Sequence, residues 1–183
     1  MSYRARALCL GLLTLGFAAC ARATHPAVVS TGDARIDSDL DRLRAATVSY
    51  QHLDSAVTVG YPRDVPACIV HEHHGAMGYH HLNRRYLTAT PRIDQPQILL
   101  YERMPDGAYK LNGVEFIVPY RLYSRDSVPP VLFGQKLHHE DNLNYWYLHV
   151  WAWTNNAEGV FANFNPSVSC GTTGKVYTPF TRP

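Results

Sequence analysis

The chain has 183 residues, which is enough for one domain and too few for two of ordinary size. It is 46% hydrophobic and 17% charged, as globular proteins are, and its 12 tyrosines and 12 prolines favour strands and loops over a helical bundle. The formal charge is only +2 and includes Arg4 and Arg6 near the N-terminus. No stripe of lysine and arginine remains to bind phosphates, so the composition argues against a nucleic-acid partner.

Residues 1–23 have the pattern of an export signal. A basic start is followed by an apolar stretch over residues 7–19 that is too short to span a bilayer as an anchor. Two kinds of processing fit the sequence: cleavage after Ala23, or lipidation of Cys20 at the end of a lipoprotein-like box. We therefore predict an exported protein that is periplasmic, anchored to the outer membrane or secreted, with membrane attachment only through lipid on Cys20.

A flexible leader is predicted over residues 24–35, and a single globular domain over residues 36–183. The domain is expected to begin with a helix at residues 36–59, because apolar side chains recur there every three or four positions. Either Asp33 or Asp37 can cap its first turn. The helix has one apolar stripe and a polar back, which indicates that it packs on a larger element such as a sheet.

The rest of the chain is predicted to form strands. The predicted segments are residues 97–103, 109–111, 113–120, 131–133, 144–153 and, as a last short strand, 160–164. A turn at Pro105-Asp106-Gly107 joins the first two in a hairpin. The pattern predicts an α+β fold in which the N-terminal helix packs on a curled antiparallel sheet or a small β-barrel.

Cys68 and Cys170 are the two cysteines that remain after the predicted signal is removed. An even pair in an oxidising compartment predicts one disulfide, and two free buried thiols are the alternative.

Histidine is concentrated in a few places along the chain. The histidines concerned are His71, His73, His74, His80, His81, His138, His139 and His149. Because neutral imidazole is the commonest metal ligand in proteins, a transition-metal site is the sharpest hypothesis that the sequence supports.

Strand periodicity assigns faces to the candidate residues. In residues 144–153, His149 shares one face with Tyr147 and Trp151, and the opposite, apolar face suits a core against the helix. Glu115 interrupts an apolar strand and needs a partner, since burying a carboxylate alone costs several kcal/mol. The simpler alternatives are a hydrogen-bonded groove histidine and a glutamate that pairs with an arginine.

Six motifs follow one another between residues 45 and 170. They are Met77-Gly78-Tyr79-His80, Leu99-Leu100-Tyr101-Glu102, Gly113-Val114-Glu115-Phe116-Ile117-Val118-Pro119, Leu132-Phe133-Gly134-Gln135-Lys136-Leu137-His138, Leu148-His149-Val150-Trp151-Ala152-Trp153 and Asn165-Pro166-Ser167-Val168-Ser169-Cys170. Their order and spacing resemble a group of exported bacterial proteins of uncharacterised function. The resemblance implies no activity. The candidate residues that it implies are His80, His138, His149, Glu102 and Glu115. It also implies that the histidines between residues 71 and 74 are peripheral, because the group typically has glycine or polar residues there.

The first functional hypothesis is an exported metal-binding protein, and in its stronger form a mononuclear metalloenzyme. The ligands would be His80, His138, His149 and Glu115, with Glu115 as the fourth ligand or the general base. Tyr147 and Trp151 would line the pocket for a small-molecule ligand or substrate. Such a set suits Cu, Fe, Mn or Zn.

Two other hypotheses come from different classes. One is a non-enzymatic binding module whose aromatic groove holds a sugar-like or apolar ligand. The other is a histidine-rich metal scavenger that uses residues 71–74. A serine hydrolase is disfavoured because the chain has no Gly-x-Ser-x-Gly motif.

Overall fold

The computed structural model describes residues 29–171 and 174–176. The predicted signal over residues 1–23, with its lipidation site at Cys20, lies outside these residues.

Within the described ranges, no helix is long and apolar enough to cross a membrane.

The predicted helix is present, but it is shorter than predicted and is followed by a break. Helix α1 (Ala34–Thr47) begins two residues earlier than the periodicity indicates, and a 3-10 turn (Val48–Gln51) follows it. The chain is extended at His52, with φ −98° and ψ 112°, before the short helix α2 (Leu53–Thr58). One continuous helix over residues 36–59 is therefore wrong, because the apolar stripe continues across a bend.

Both acidic residues predicted as caps are used at the start of α1. The Asp33 side chain accepts the backbone N–H of Arg35 at 2.8 Å, as an N-cap does. The Asp37 carboxylate accepts the hydroxyl of Ser30 at 2.6 Å and the backbone N–H of Thr31 at 2.7 Å. The residues just before the helix are thus hydrogen-bonded to its first turn.

The described part of the chain contains nine strands. They are β1 (Cys68–His71), β2 (Gly75–Leu82), β3 (Ile98–Arg103), β4 (Tyr109–Pro119), β5 (Val131–Leu132), β6 (Gln135–Lys136), β7 (His138–Glu140), β8 (Tyr145–Val150) and β9 (Gly174–Val176). Seven form one curled sheet in the order β7-β8-β4-β3-β2-β1-β9, antiparallel except for the β1/β9 pair. The edge strands β7 and β9 do not pair, so the sheet is an open half-barrel. The predicted α+β fold with a curled sheet is confirmed.

The sheet has two buried faces with different partners. On the outer face, Leu40 and Leu43 of α1 belong to the same core cluster as Trp146 and Leu148 of β8. This is the face that the alternation assigns to the helix. The inner face of the curled sheet carries a second cluster, which includes Ile117 of β4. The site described below lies on the inner face.

Several strands differ from the prediction. β8 ends at Val150 rather than 153, so Trp153 turns to the helix side and its ring N–H donates to the Thr47 hydroxyl at 3.1 Å. Residues 160–164 form turns instead of a strand. The strands β1, β2 and β7 are missing from the prediction, because the histidines in and around them make these segments resemble loops. The short strands β6 and β9 are missing from it as well.

The predicted disulfide is confirmed. Cys68 of β1 bonds to Cys170, with their Cα atoms 5.6 Å apart and a sequence separation of 102. The bond ties the C-terminal segment to the sheet where β9 pairs with β1.

Candidate metal centre

Three side chains from three different strands converge on the inner face of the sheet. They are His80 of β2, Glu115 of β4 and His149 of β8, hereafter the triad. One ligand atom from each lies within 4.8 Å of the other two. Among the described residues, this is the sole group of three or more histidine, cysteine or acidic side chains that meets this distance limit.

Register and curvature explain how distant residues meet. Glu115 and His149 are direct cross-strand partners, so their side chains leave the same face of neighbouring strands. His80 lies two strands away from Glu115, on the far side of β3, and the inward curl of the sheet brings its side chain close to Glu115. The imidazole rings of His80 and His149 meet edge to face, with centroids 5.9 Å apart.

Gly78 shapes the strand just before His80. Its φ is +90°, a conformation that side chains rarely adopt, and a Cβ there would lie 2.7 Å from the carbonyl oxygen of Tyr101. The resulting irregularity turns the Gly78 carbonyl toward the Nδ1 atom of His80, 3.1 Å away. Because a carbonyl can only accept, His80 carries its proton on Nδ1. Its Nε2 lone pair therefore faces the triad.

The triad contains an unusual number of unsatisfied polar atoms. Glu115 and His149 are each only 2% exposed. Within the described structure, Oε2 of Glu115 and both ring nitrogens of His149 have no hydrogen-bond partner. A buried polar atom left unsatisfied costs about 1–3 kcal/mol, so unsatisfied atoms on two neighbouring side chains indicate a site for a polar or charged ligand.

Burial shifts the protonation of all three groups toward neutrality. Burial raises the pKa of Glu115 to about 8, and the charge of Glu140 acts in the same direction. Burial lowers the pKa of His80 to about 4, opposed by the Gly78 carbonyl. The pKa of His149 also lies well below its usual value, first through burial and then through the charges of His80 and His138. Near neutral pH, both imidazoles are therefore unprotonated, which is the form that binds metals.

The geometry fits a transition-metal ion. Donors 2.0–2.1 Å from a tetrahedral ion lie about 3.4 Å from one another. The Glu115 Oε2 atom is 3.5 Å from His80 Nε2 and 3.9 Å from His149 Nε2, so these two separations lie within about 0.5 Å of the tetrahedral value, and the ligand atoms of the two histidines lie within 4.8 Å of each other. Neither separation is that of a good hydrogen bond. A dication at this point would satisfy Oε2 of Glu115 and one ring nitrogen of His149, and it would favour ionised Glu115.

A cavity of about 390 Å³ opens beside the triad. Its walls are mostly apolar, and the side chains that set this character are Ile69, Leu82, Ile98, Ile117, Leu143 and Tyr147. Its remaining polar side chains, besides the triad, include Glu140 and Asn163. Three protein donors leave coordination positions free to face this cavity, as in catalytic metal sites.

His138 is not brought together with the triad. It pairs with Tyr147 across the β7/β8 ladder, one row further along the strands than His149, and its side chain is exposed. Two residues of strand correspond to about 6.6 Å, and the Tyr147 ring lies against the His138 ring at a centroid distance of 5.6 Å. The structure therefore gathers three of the four predicted ligands.

The two predicted pocket aromatics have different positions. Tyr147 lines the cavity and accepts a hydrogen bond from the Asn163 side-chain amide at 3.0 Å. Trp151 is fully buried, and its ring is nearly parallel to that of His149 with centroids 6.4 Å apart. Its ring N–H donates to the Ala162 carbonyl at 2.7 Å. Trp151 therefore supports His149 rather than lining the cavity.

Glu102, the other acidic residue that the resemblance implies, serves the framework. Its carboxylate accepts the backbone N–H of Ser169 at 3.0 Å and the side-chain amide of Asn112 at 3.2 Å. These bonds hold the C-terminal segment against the end of β3.

The histidines at positions 71 to 74 lie at the turn between β1 and β2. His71 and His74 have ring centroids 4.5 Å apart, and Nδ1 of His74 is 2.7 Å from the Glu158 carboxylate. This cluster does not meet the distance limit that the triad meets. Its position at an exposed turn agrees with the prediction that it is peripheral.

Sequence reasoning missed Glu140, which lies at the cavity and acts on the Glu115 carboxyl. Once β7 is aligned with β8, Glu140 falls opposite Tyr145, on the same face as the cavity. The β7/β8 alignment is the signal that could have identified Glu140. That signal was missing from the sequence, because the sequence pattern does not reveal β7.

Comparison of the chain with family models, curated proteins and solved structures found no match.

Proposed function

We propose that this protein is an exported mononuclear metalloprotein in which His80, Glu115 and His149 bind one divalent transition-metal ion. The observation that carries the proposal is that one ligand atom each of His80, Glu115 and His149 lies within 4.8 Å of the other two, while Oε2 of Glu115 and the ring nitrogens of His149 have no hydrogen-bond partner in the described structure. Two imidazoles and one carboxylate suit Fe, Zn, Mn or Cu. The positions left free by three protein ligands face the cavity, so we assign the ion a catalytic rather than a structural role.

Export is the cellular part of the proposal. The basic and apolar start of the sequence supports it, as does the disulfide, since such bonds persist in oxidising compartments. Residues 1–23 would direct transport. The resemblance to exported bacterial proteins points the same way.

The proposal is tested by elemental analysis of purified protein after chelation, reconstitution with a single metal and dialysis. We expect one ion per chain in the native protein. The Glu115→Gln variant keeps the shape of the side chain but removes its charge, and it should lose the ion on dialysis.

A matched control separates the triad from the exposed cluster. Replacing His71, His73 and His74 by alanine together should leave one ion per chain. Loss of the ion in that variant, with retention in Glu115→Gln, would favour the metal scavenger instead.

The binding module without metal is the second candidate, because the apolar cavity is present whether or not an ion is bound. The binding module is the preferred function if the reconstituted protein binds no ion but still binds a small apolar molecule.

A further inference from the structure

We propose that the cavity beside the triad selects an elongated apolar molecule with one metal-binding head group and no negative charge on its tail. This inference rests on the proposed metal centre and adds the class of ligand. The head would bind the ion on the triad, and the tail would run along the inner face of β4 and β8 to the turn that joins β7 to β8.

The register of the sheet gives the cavity its direction. Starting from the Glu115–His149 pair, the next inner-face pair is Ile117 with Tyr147, and Tyr145 follows on β8. All of these side chains line the cavity. Four residues of strand separate His149 from Tyr145, which corresponds to about 13 Å. The cavity is therefore longer than a single small polar substrate requires.

The mouth of the cavity is also apolar. Leu143, in the turn between β7 and β8, lines the cavity and is nevertheless 64% exposed. An exposed leucine at an entrance provides apolar surface that a ligand tail would cover, with a gain of about 25 cal/mol for each Å² removed from water.

The charges around the cavity disfavour an anionic tail. In the described part of the chain, no lysine or arginine lines this cavity. Glu140 lies on the inner face beside Tyr145, at the mouth end, and among residues 29–171 and 174–176 it is the sole acidic side chain that lines the cavity outside the triad. A carboxylate or phosphate at the far end of the ligand would meet Glu140 with no cation to balance it.

The length of the tail is tested with butyl, hexyl, octyl and decyl hydroxamates, whose head groups bind transition metals. Affinity for the reconstituted full chain is measured by calorimetry. We expect it to rise about fourfold for each methylene buried, until the tail reaches the mouth. The Leu143→Asn variant should reduce the gain for the longest members and leave butyl hydroxamate unchanged. Val128→Asn is the matched control, since Val128 is 76% exposed and does not line the cavity.

The outcomes separate the two proposals. Rising affinity that Leu143→Asn truncates supports the ligand class. If one ion binds per chain but all four hydroxamates bind equally, the ligand class is wrong and the metal centre stands. If no ion binds, both proposals fail, because the head group has nothing to coordinate.

The charge preference is tested with octyl hydroxamates that end in a methyl, an amino or a carboxylate group. The carboxylate should bind about fivefold more weakly than the methyl compound through repulsion by Glu140. In Glu140→Gln this penalty should disappear, whereas the exposed control Glu72→Gln should retain it. Equal binding of the three compounds by the unmodified protein, or a penalty unchanged in Glu140→Gln, would overturn the assignment.

Discussion

Burial makes the charged form of the Glu115 carboxyl costly, and a bound cation would offset this cost. Glu115 is only 2% exposed and its Oε2 atom has no hydrogen-bond partner in the described structure, so its charged form is costly without an ion. Two neutral imidazoles face it at 3.5 Å and 3.9 Å. The same arrangement that destabilises the metal-free protein prepares a site for a dication.

The separation between the triad and His138 predicts unequal effects of two alanine variants. His80→Ala removes a ligand. Loss of a residue that only hydrogen-bonds to a ligand typically lowers metal affinity by roughly 10- to 100-fold, and His80→Ala should lower it by more. His138→Ala should reduce metal affinity by less than that range, because His138 lies one row away from the triad. Competition titration with a chromogenic chelator measures both. Equal losses of metal affinity in the two variants would show that His138 is also a ligand.

The metal-free protein should have a characteristic pH dependence of stability. The pKa of Glu115 is raised from 4.5 to about 8, so its contribution is full below pH 4.5 and is lost as pH rises through 8. The pKa values of His80 and His149 are lowered from 6.5, so their contributions are full above pH 6.5 and are lost on acidification. Stability should therefore decrease between pH 6.5 and 8.

Glu115→Gln isolates the first of these contributions. Urea unfolding of the metal-free variant should show no decrease between pH 6.5 and 8 beyond that of other groups, whereas the unmodified protein should lose stability there. Parallel pH profiles for the two proteins would show that Glu115 is not the group responsible.

At the scale of the elements, the site depends on how β2 is bent next to His80. Gly78→Ala places a Cβ in a backbone conformation with φ +90° and 2.7 Å from the Tyr101 carbonyl oxygen. We expect a loss of about 1–3 kcal/mol in the free energy of unfolding. Metal affinity should also fall, because the Gly78 carbonyl orients the His80 ring.

Gly134→Ala is the matched control for that variant. Gly134 has φ +68°, but nothing lies within 4 Å of the position that a Cβ would take, and the residue lies between β5 and β6, outside the sheet that carries the triad. The substitution should cost some stability and leave metal affinity unchanged. If Gly134→Ala lowered affinity as much as Gly78→Ala, the effect would be general destabilisation.

The alternation of residues along a strand predicts which side chains share a face correctly where one face of the strand is apolar. It assigns Leu148 to the helix side and His149 to the opposite side, and it singles out Glu115, as the structure confirms. It fails at β2 and β7, where histidines and glycine conceal the strands. Without β7, nothing in the local pattern indicates that His138 lies opposite Tyr147, one row from the triad. Which strands are neighbours depends on long-range pairing, and local pattern does not specify it.

At the scale of the whole molecule, the disulfide closes most of the domain into one loop. With a sequence separation of 102 between Cys68 and Cys170, the chain-entropy model assigns the disulfide about 4.7 kcal/mol of stabilisation. A Cys68→Ala/Cys170→Ala double variant should lose stability of this order in urea unfolding. At temperatures where the double variant is folded, its metal affinity should be only slightly lower than that of the unmodified protein, because the triad lies on β2, β4 and β8. An unchanged midpoint on loss of the bond would contradict its assigned role.

Binding of one ion between His80, Glu115 and His149 can be observed by anomalous diffraction at the metal absorption edge, with crystals of reconstituted protein. We predict one peak at full occupancy, about 2.0–2.1 Å from a ring nitrogen of His80 and of His149 and close to the Glu115 carboxylate. A peak at the exposed histidines of positions 71 to 74 with none at the triad, or no peak at all, would contradict the account.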